Sequence, residues 1–219
     1  MTRSRQGEAP ERWRSEHGSA LIISLLSTTL LLVLGSALAL VAQSESAIAA
    51  NAPRDAQTLY AAEAALRHAA VDLEALPDWS MALGGVVTST FTDGSPGGVR
   101  SAGPVDIDLT VLGATLNAGA ANLPFGANNP QWRLYLWGRA EALLVSPWTG
   151  YVAVWVADDA SETDDDPQRD GGGVDERGRG VVRLRAVAFG GANSQRAVEA
   201  TVERATSGRV TVRTSQAVP

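Results

Sequence analysis

From Gly18 to Ala42 the chain carries no charged side chain. A helix over this run, at about 1.5 Å per residue for roughly 24 residues, reaches about 36 Å, enough for a hydrocarbon core of about 30 Å. Its polar side chains are Ser and Thr, whose hydroxyls can bond to the carbonyl one turn earlier. A buried helix of a soluble protein is the competing reading, but such helices usually carry a polar face and this run has none. The stretch is therefore read as a membrane span ending near Ala42, and the rest of the chain is arranged around it.

The chain has 219 residues. With the leader and the span set aside, about 175 remain, enough for one modest domain. The net charge of -6 argues against a general nucleic-acid binder, so no nucleic-acid partner is expected. Cysteine is absent, which excludes disulfides, thiolate zinc sites and a cysteine nucleophile. Only His17 and His68 occur, and His17 lies before the span. A Ser-His-Asp triad would have to use His68, and no nucleophile motif points to it, so the chain is not expected to be an enzyme.

Residues 1–17 are polar, with Arg3, Arg5, Arg12 and Arg14 set against Glu8, Glu11 and Glu16. Arginines ahead of an apolar run hold that end in the cytoplasm, so the remainder is exported. An ordinary secretory signal has an apolar stretch of about 7–15 residues before a small-x-small cut. The run here is longer, although Ala47-Ile48-Ala49 offers such a cut and keeps that alternative open. Gly18 stands at the junction of leader and run, where a residue without a side chain can enter a protease site in extended form.

Beyond Ala42 the chain turns polar but stays helix-prone, and Pro53 is expected to kink the helix. Leu59, Leu66 and Leu73 recur every seven residues, and Ala62, Ala69 and Leu76 do so offset by three. Together they form one narrow apolar stripe for packing on the protein's own domain. Pro77 ends the helix. Glu63 and Arg67, spaced i, i+4, are read as a surface pair.

Residues 77–130 are rich in Gly, Pro, Ser, Thr and Asn, with strand-like runs at Val86–Thr92 and Val105–Val111. Irregular structure with one or two edge strands is expected there. From Trp132 the strand signal strengthens. Trp132–Trp137 is aromatic-rich, and Tyr151–Ala157 is apolar on both faces, as in a central strand. Val181–Phe189 and Arg196–Arg204 bracket the turn Gly190–Ser194 as a hairpin. The expectation is a four-stranded antiparallel sheet packed on the Leu59–Leu76 stripe. Arg209–Arg213 reads either as an added edge strand or as a loose tail.

Between two of these strands, residues 158–179 hold nine carboxylates and Gly171-Gly172-Gly173. Calcium takes six to eight oxygen ligands, and Asp164, Asp166, Asp170 and Asp175 have a suitable spread. The EF-hand pattern is not met, because Gln168 fills its third acidic place. The competing reading is a solvated, self-repelling insert without a cofactor.

The order of polar leader, Gly18 and uncharged helix resembles the class III leader of type IV pilins and pseudopilins. The stretch Tyr60-Ala61-Ala62-Glu63-Ala64-Ala65-Leu66-Arg67 resembles the N-terminal region of PilX-type minor pilins, and the Ala186–Val202 hairpin their C-terminal region. The resemblance implies a cut by prepilin peptidase between Gly18 and Ser19, with Ser19 as the methylated mature N-terminus. Two positions depart from major pilins: Ser19 stands for the usual Phe, and Ile23 for the fifth-position Glu. The resemblance also implies a pilin-like α+β fold. Leader 1–18 would precede a helix over 19–76 and an exported β-rich domain over 77–219. It implies a minor pilin near the filament tip that primes assembly with other minor and major pilins and a tip adhesin. Its location would be the bacterial inner membrane, with a periplasmic C-terminal domain, and then the pilus at the cell surface. Two alternatives stand beside it. One is a GspK-like pseudopilin of type II secretion, although that family usually carries a large helical insertion. The other is a bitopic membrane protein with a periplasmic binding domain.

Overall fold

A computed structural model describes residues 13–102, 105–144, 148–162, 164–170 and 180–218, with backbone only for 13–18, 102, 105 and 192. Leader residues 1–12 and Asp175 lie outside the described residues. The chain divides into two compact units, Met1–Asn51 and Ala52–Pro219.

Residues 13–51 of the first unit belong to helix α1, Trp13–Ala75, which is uninterrupted and includes Pro53. A proline removes one hydrogen bond and crowds one turn, and the helix resumes directly beyond it. Gly18 lies within this helix.

The second unit is α+β. After α1 come the single turn α2 (Ser80–Leu83), the hairpin β1 (Val99–Ala102) and β2 (Val105–Asp108), and helix α3 (Leu109–Ala120). Then follow β3 (Arg133–Arg139), the turn α4 (Ala140–Leu143), β4 (Tyr151–Asp158), β5 (Val181–Phe189), β6 (Gln195–Arg204) and β7 (Val210–Val218). Strands β3 to β7 pair in sequence order, all antiparallel.

The sheet thus has five strands, where four were expected. The fifth follows a turn in which Gly208 takes φ 84° and the Ala205 N–H donates to the Arg209 carbonyl. That turn brings the Val- and Thr-rich end of the chain back along β6. The expected strand Val105–Val111 stops at Asp108, whose carboxylate accepts the N–H groups of Thr110 and Val111. That cap satisfies two orphan donors and starts α3, in which Leu109, Leu112, Leu116 and Ala120 recur with helical spacing. The run Val86–Thr92 forms no strand. It lies along the β3 edge, with Ser89 N–H on the Tyr135 carbonyl, Trp137 N–H on the Phe91 carbonyl and one parallel bridge from Thr92 to Trp137.

Two cores fill the two sheet faces. On one, Ala62, Leu66, Ala69 and Leu73 of α1 are buried against Val152, Val154, Val156, Leu184 and Val202, with Leu59 and Leu76 half-buried at the margins. Ala61 and Ala65 are buried too, so the packing face is broader than a heptad stripe and small enough for close approach to the sheet. On the other face, Leu109, Leu112 and Leu116 of α3 pack with Trp132, Trp137 and Trp155. Strand β4 is buried along its whole length because both faces are covered.

The C-terminal end of α1 has no basic residue in its last turn. Arg204, from the end of β6, supplies the charge. Its guanidinium donates to the carbonyls of Pro77 at 3.0 Å and Leu76 at 2.6 Å. It also lies 4.6 Å from the Trp79 ring centroid. Trp79 is fully buried and donates its indole N–H to the Leu73 carbonyl at 2.8 Å. A cation among C-terminal carbonyls and over an aromatic face acts on both the helix dipole and the ring quadrupole. Arg204→Met should lower stability by about 2 kcal/mol, a drop in Tm of about 6 °C. Thermal melts of the two proteins check it, with Arg204→Lys expected between them because it keeps the charge without the planar fork.

Candidate functional site: the uncharged run and the buried polar clusters

Within α1, several polar side chains of the run and its margin are bonded locally. Ser24 donates to the Leu21 carbonyl, Thr28 to Leu25, Thr29 to Leu25 and Leu26, Ser36 to Val33 and Ser44 to Val41, all at 2.8–3.0 Å. Bonding inside the helix leaves these hydroxyls with no need of water. The apolar side chains around them are exposed, from Val41 at 52% to Leu32 at 73%. Among the described residues, one helix is long and apolar enough to cross a membrane. Such an exposed apolar surface is compatible with a membrane anchor. Ser19, beside the expected cut, and Ile23 are both exposed on this helix.

The second candidate is built around His68. Its Nε2 lies 3.7 Å from Asp72 Oδ2, one helical turn on, and its ring stands edge-to-face on Phe91. Ser89, 4% exposed, donates its hydroxyl hydrogen to the same Asp72 oxygen and accepts the Phe91 N–H. The three residue types of a hydrolytic triad are thus brought together, but with the carboxylate in the middle. A serine nucleophile needs the imidazole on its hydroxyl and the carboxylate behind the imidazole. The cluster's evident work is to tie the 89–91 segment to α1.

A third polar cluster fixes the β5–β6 turn. The Thr58 hydroxyl, fully buried, sits 2.9 Å from that of Ser194, which also donates to Asp55 at 3.0 Å. Arg196 pairs with Asp55 at 2.6 Å. Gly190 is required beside them, since a Cβ there would stand 2.7 Å from Thr58 Oγ1.

The acidic segment opens on two buried carboxylates, Asp158 at 4% and Glu162 at 2% exposure. Burial pushes the Asp158 carboxyl up to about 9, and the charges of Glu162, Asp170 and Asp164 push the same way. Only the Asp159 N–H, donated to Asp158 Oδ1, opposes them. Of the residues expected as calcium ligands, Asp164 accepts the Asp166 N–H and Asp166 the Gln168 N–H. Asp170 accepts the Gly180 N–H at 2.6 Å, and its own N–H donates to Ser80 Oγ. These carboxylates hold turns together. Among the described residues, no group of three or more His, Cys, Asp or Glu is placed to hold a metal ion.

Sequence reasoning missed the burial of Asp158 and Glu162. For Asp158 the available signal was its position at the end of a strand apolar on both faces. It also missed the Arg204 cap, which joins residues far apart in the chain. No family model, curated protein or solved structure matches this chain.

Proposed function

We propose that the chain is a minor pilin of the PilX type, a single-pass subunit of the bacterial inner membrane that enters a type IV pilus near its tip. The observation that supports this best is one continuous helix with two surfaces. It is uncharged and exposed along the run, and from Thr58 to Leu73 it is the packing face of an α+β unit. A subunit stored in a membrane and later drawn into a fibre needs both surfaces on one element. In this reading the leader is removed after Gly18 by prepilin peptidase, and other minor and major pilins and a tip adhesin are the partners. Ile23 carries the assembly argument. Where a major pilin offers a carboxylate to a neighbour's N-terminal amine, this chain offers an apolar side chain. An unpaired buried charge is costly, so the position favoured is one where that neighbour is missing.

Mass spectrometry of the membrane-extracted protein should show a chain starting at methylated Ser19, and Gly18→Val should retain the leader. A start at Ala50, or an intact Met1, rejects the pilin reading. Labelled protein on sheared filaments should concentrate at one end, and deleting the gene should remove or strongly reduce pili. Uniform decoration along the fibre at major-subunit copy number rejects the tip assignment. Ile23→Glu should shift incorporation toward the shaft.

A further inference from the structure

A cavity of about 600 Å³ opens between the end of α3 and the start of β3. A volume of this order is usual for small-molecule sites. The cavity lies wholly within the Ala52–Pro219 unit, so nothing about it depends on how that unit is anchored. Ala121 and Pro130 form part of its wall, and its polar side chains are Asn117, Asn129, Gln131 and Arg133.

A hydrogen-bond account of those four side chains is one-sided. Asn117 is engaged at both ends. It donates to the carbonyls of Gly113 at 3.1 Å and Trp132 at 3.0 Å, and accepts the Trp132 N–H at 2.7 Å. Asn129 is engaged likewise, donating to the Ala121 carbonyl and accepting the Phe125 N–H, both at 3.1 Å. Gln131 differs. Its Oε1 accepts twice, from Gln168 at 3.1 Å and from Arg133 at 3.4 Å. Arginine can only donate, so this contact fixes which end of the Gln131 amide is oxygen. The NH2 group of Gln131 then meets no acceptor among the described residues. Arg133 makes only that one long bond; its buried Nε has no partner, and its guanidinium forms no ion pair among the described residues. The side chains of the wall thus have their acceptors in use, and have donors and one positive charge to spare.

We propose that this cavity binds a terminal carboxylate on a short aliphatic body. Arg133 and the Gln131 NH2 take the carboxylate, and Ala121 and Pro130 border the body. A ligand that only accepts hydrogen bonds and carries negative charge supplies what this wall lacks. The surroundings limit that charge to one unit. Asp165 lies 3.5 Å from Asn128, and Gln168 of the same acidic segment meets Gln131. Repulsion from these carboxylates counts twice against a phosphate dianion and once against a carboxylate. A free small acid and the C-terminus of a polypeptide share this chemistry.

The test is a binding titration of the full chain in phosphatidylcholine nanodiscs, read by ligand-observed NMR. Acetyl-alanine should bind with a Kd of about 1 mM or tighter, and acetyl-alanine amide, the same body without charge, about tenfold or more weakly. Inorganic phosphate at pH 8 should not displace the acid. Arg133→Gln should weaken the acid by about tenfold or more while Tm moves by less than about 2 °C, since the guanidinium holds little of the fold. Gln131→Glu keeps the oxygen that Gln168 meets and gives Arg133 a carboxylate of its own. It should abolish binding while Tm holds or rises. Acetyl-tetra-alanine acid separates the sources. Binding about tenfold or more tighter than acetyl-alanine assigns the site to a polypeptide C-terminus, and comparable binding to a free acid; both retain the proposal. No binding of acetyl-alanine at about 20 mM, or equal binding of its amide, overturns it, and neither result depends on a variant folding. Full binding by Arg133→Gln, or displacement by phosphate at comparable concentration, overturns it as well.

Discussion

Leu73→Asp should unfold the 52–219 unit or bring it close to unfolding. Leu73 is fully buried between α1 and the sheet, and its carbonyl receives the Trp79 indole. A carboxylate at this place loses its hydration and gains no partner, while the aliphatic contacts disappear. Changes of this class cost about 4 kcal/mol or more. For a unit of this size that is a fall in Tm of about 10 °C or more. Leu59→Asp, at the half-buried margin of the same stripe, should cost much less because its carboxylate can reach water. Thermal melts of the two variants separate them, and equal melting temperatures would mean that the α1 face does not carry the core.

The second large effect should appear as a pH dependence. With its carboxyl pushed up to about 9, mainly by burial and next by the Glu162 charge, Asp158 keeps a proton in the folded chain that the unfolded chain releases near pH 4. Between those values the native state binds more protons, so stability falls as pH rises. The contribution is fully present below about pH 4 and lost progressively toward pH 9, with a limiting slope of about 1.4 kcal/mol per pH unit. Asp158→Asn keeps an oxygen for the Asp159 N–H and removes the ionisation. Its unfolding free energy should be nearly flat from pH 5 to 8, and it should be the more stable protein at pH 8 by about 2–4 kcal/mol. Denaturant titrations at four pH values check this. Parallel profiles for the two proteins would place the titrating group elsewhere.

The elements legible in the sequence were those whose patterns are local and long. The uncharged run needed only the absence of charge over many residues. The strands that became β3 to β6 announced themselves by aromatic and branched residues and by alternation. What escaped depended on contacts between distant segments. Val105–Val111 looked extended because its residues are branched, yet one aspartate at position 108 ends the strand and starts a helix. The Thr- and Val-rich end of the chain was ambiguous until β6 stood beside it to accept the pairing. Asp158 and Glu162 looked like members of a solvated acidic run. Only its burial at the end of β4 gives Asp158 an unusual proton affinity. The same holds for Ser89, Asp72 and His68. Their side chains meet only in the fold, where the carboxylate stands between the hydroxyl and the imidazole.

The α1 packing face also fixes a timetable. The side chains that cover it come from the far end of the chain: Thr58 meets Ser194 across 136 residues, and Arg204 reaches Leu76 across 128. A ribosome adding about 5–20 residues per second needs roughly 6–27 seconds to make that much chain. For that interval Leu66 and Leu73 exist without their lids, on a helix whose earlier half is itself oily. The nascent protein therefore has two greasy surfaces to shelter during synthesis. One is compatible with a membrane anchor, and the other stays uncovered until the last hairpin closes over it.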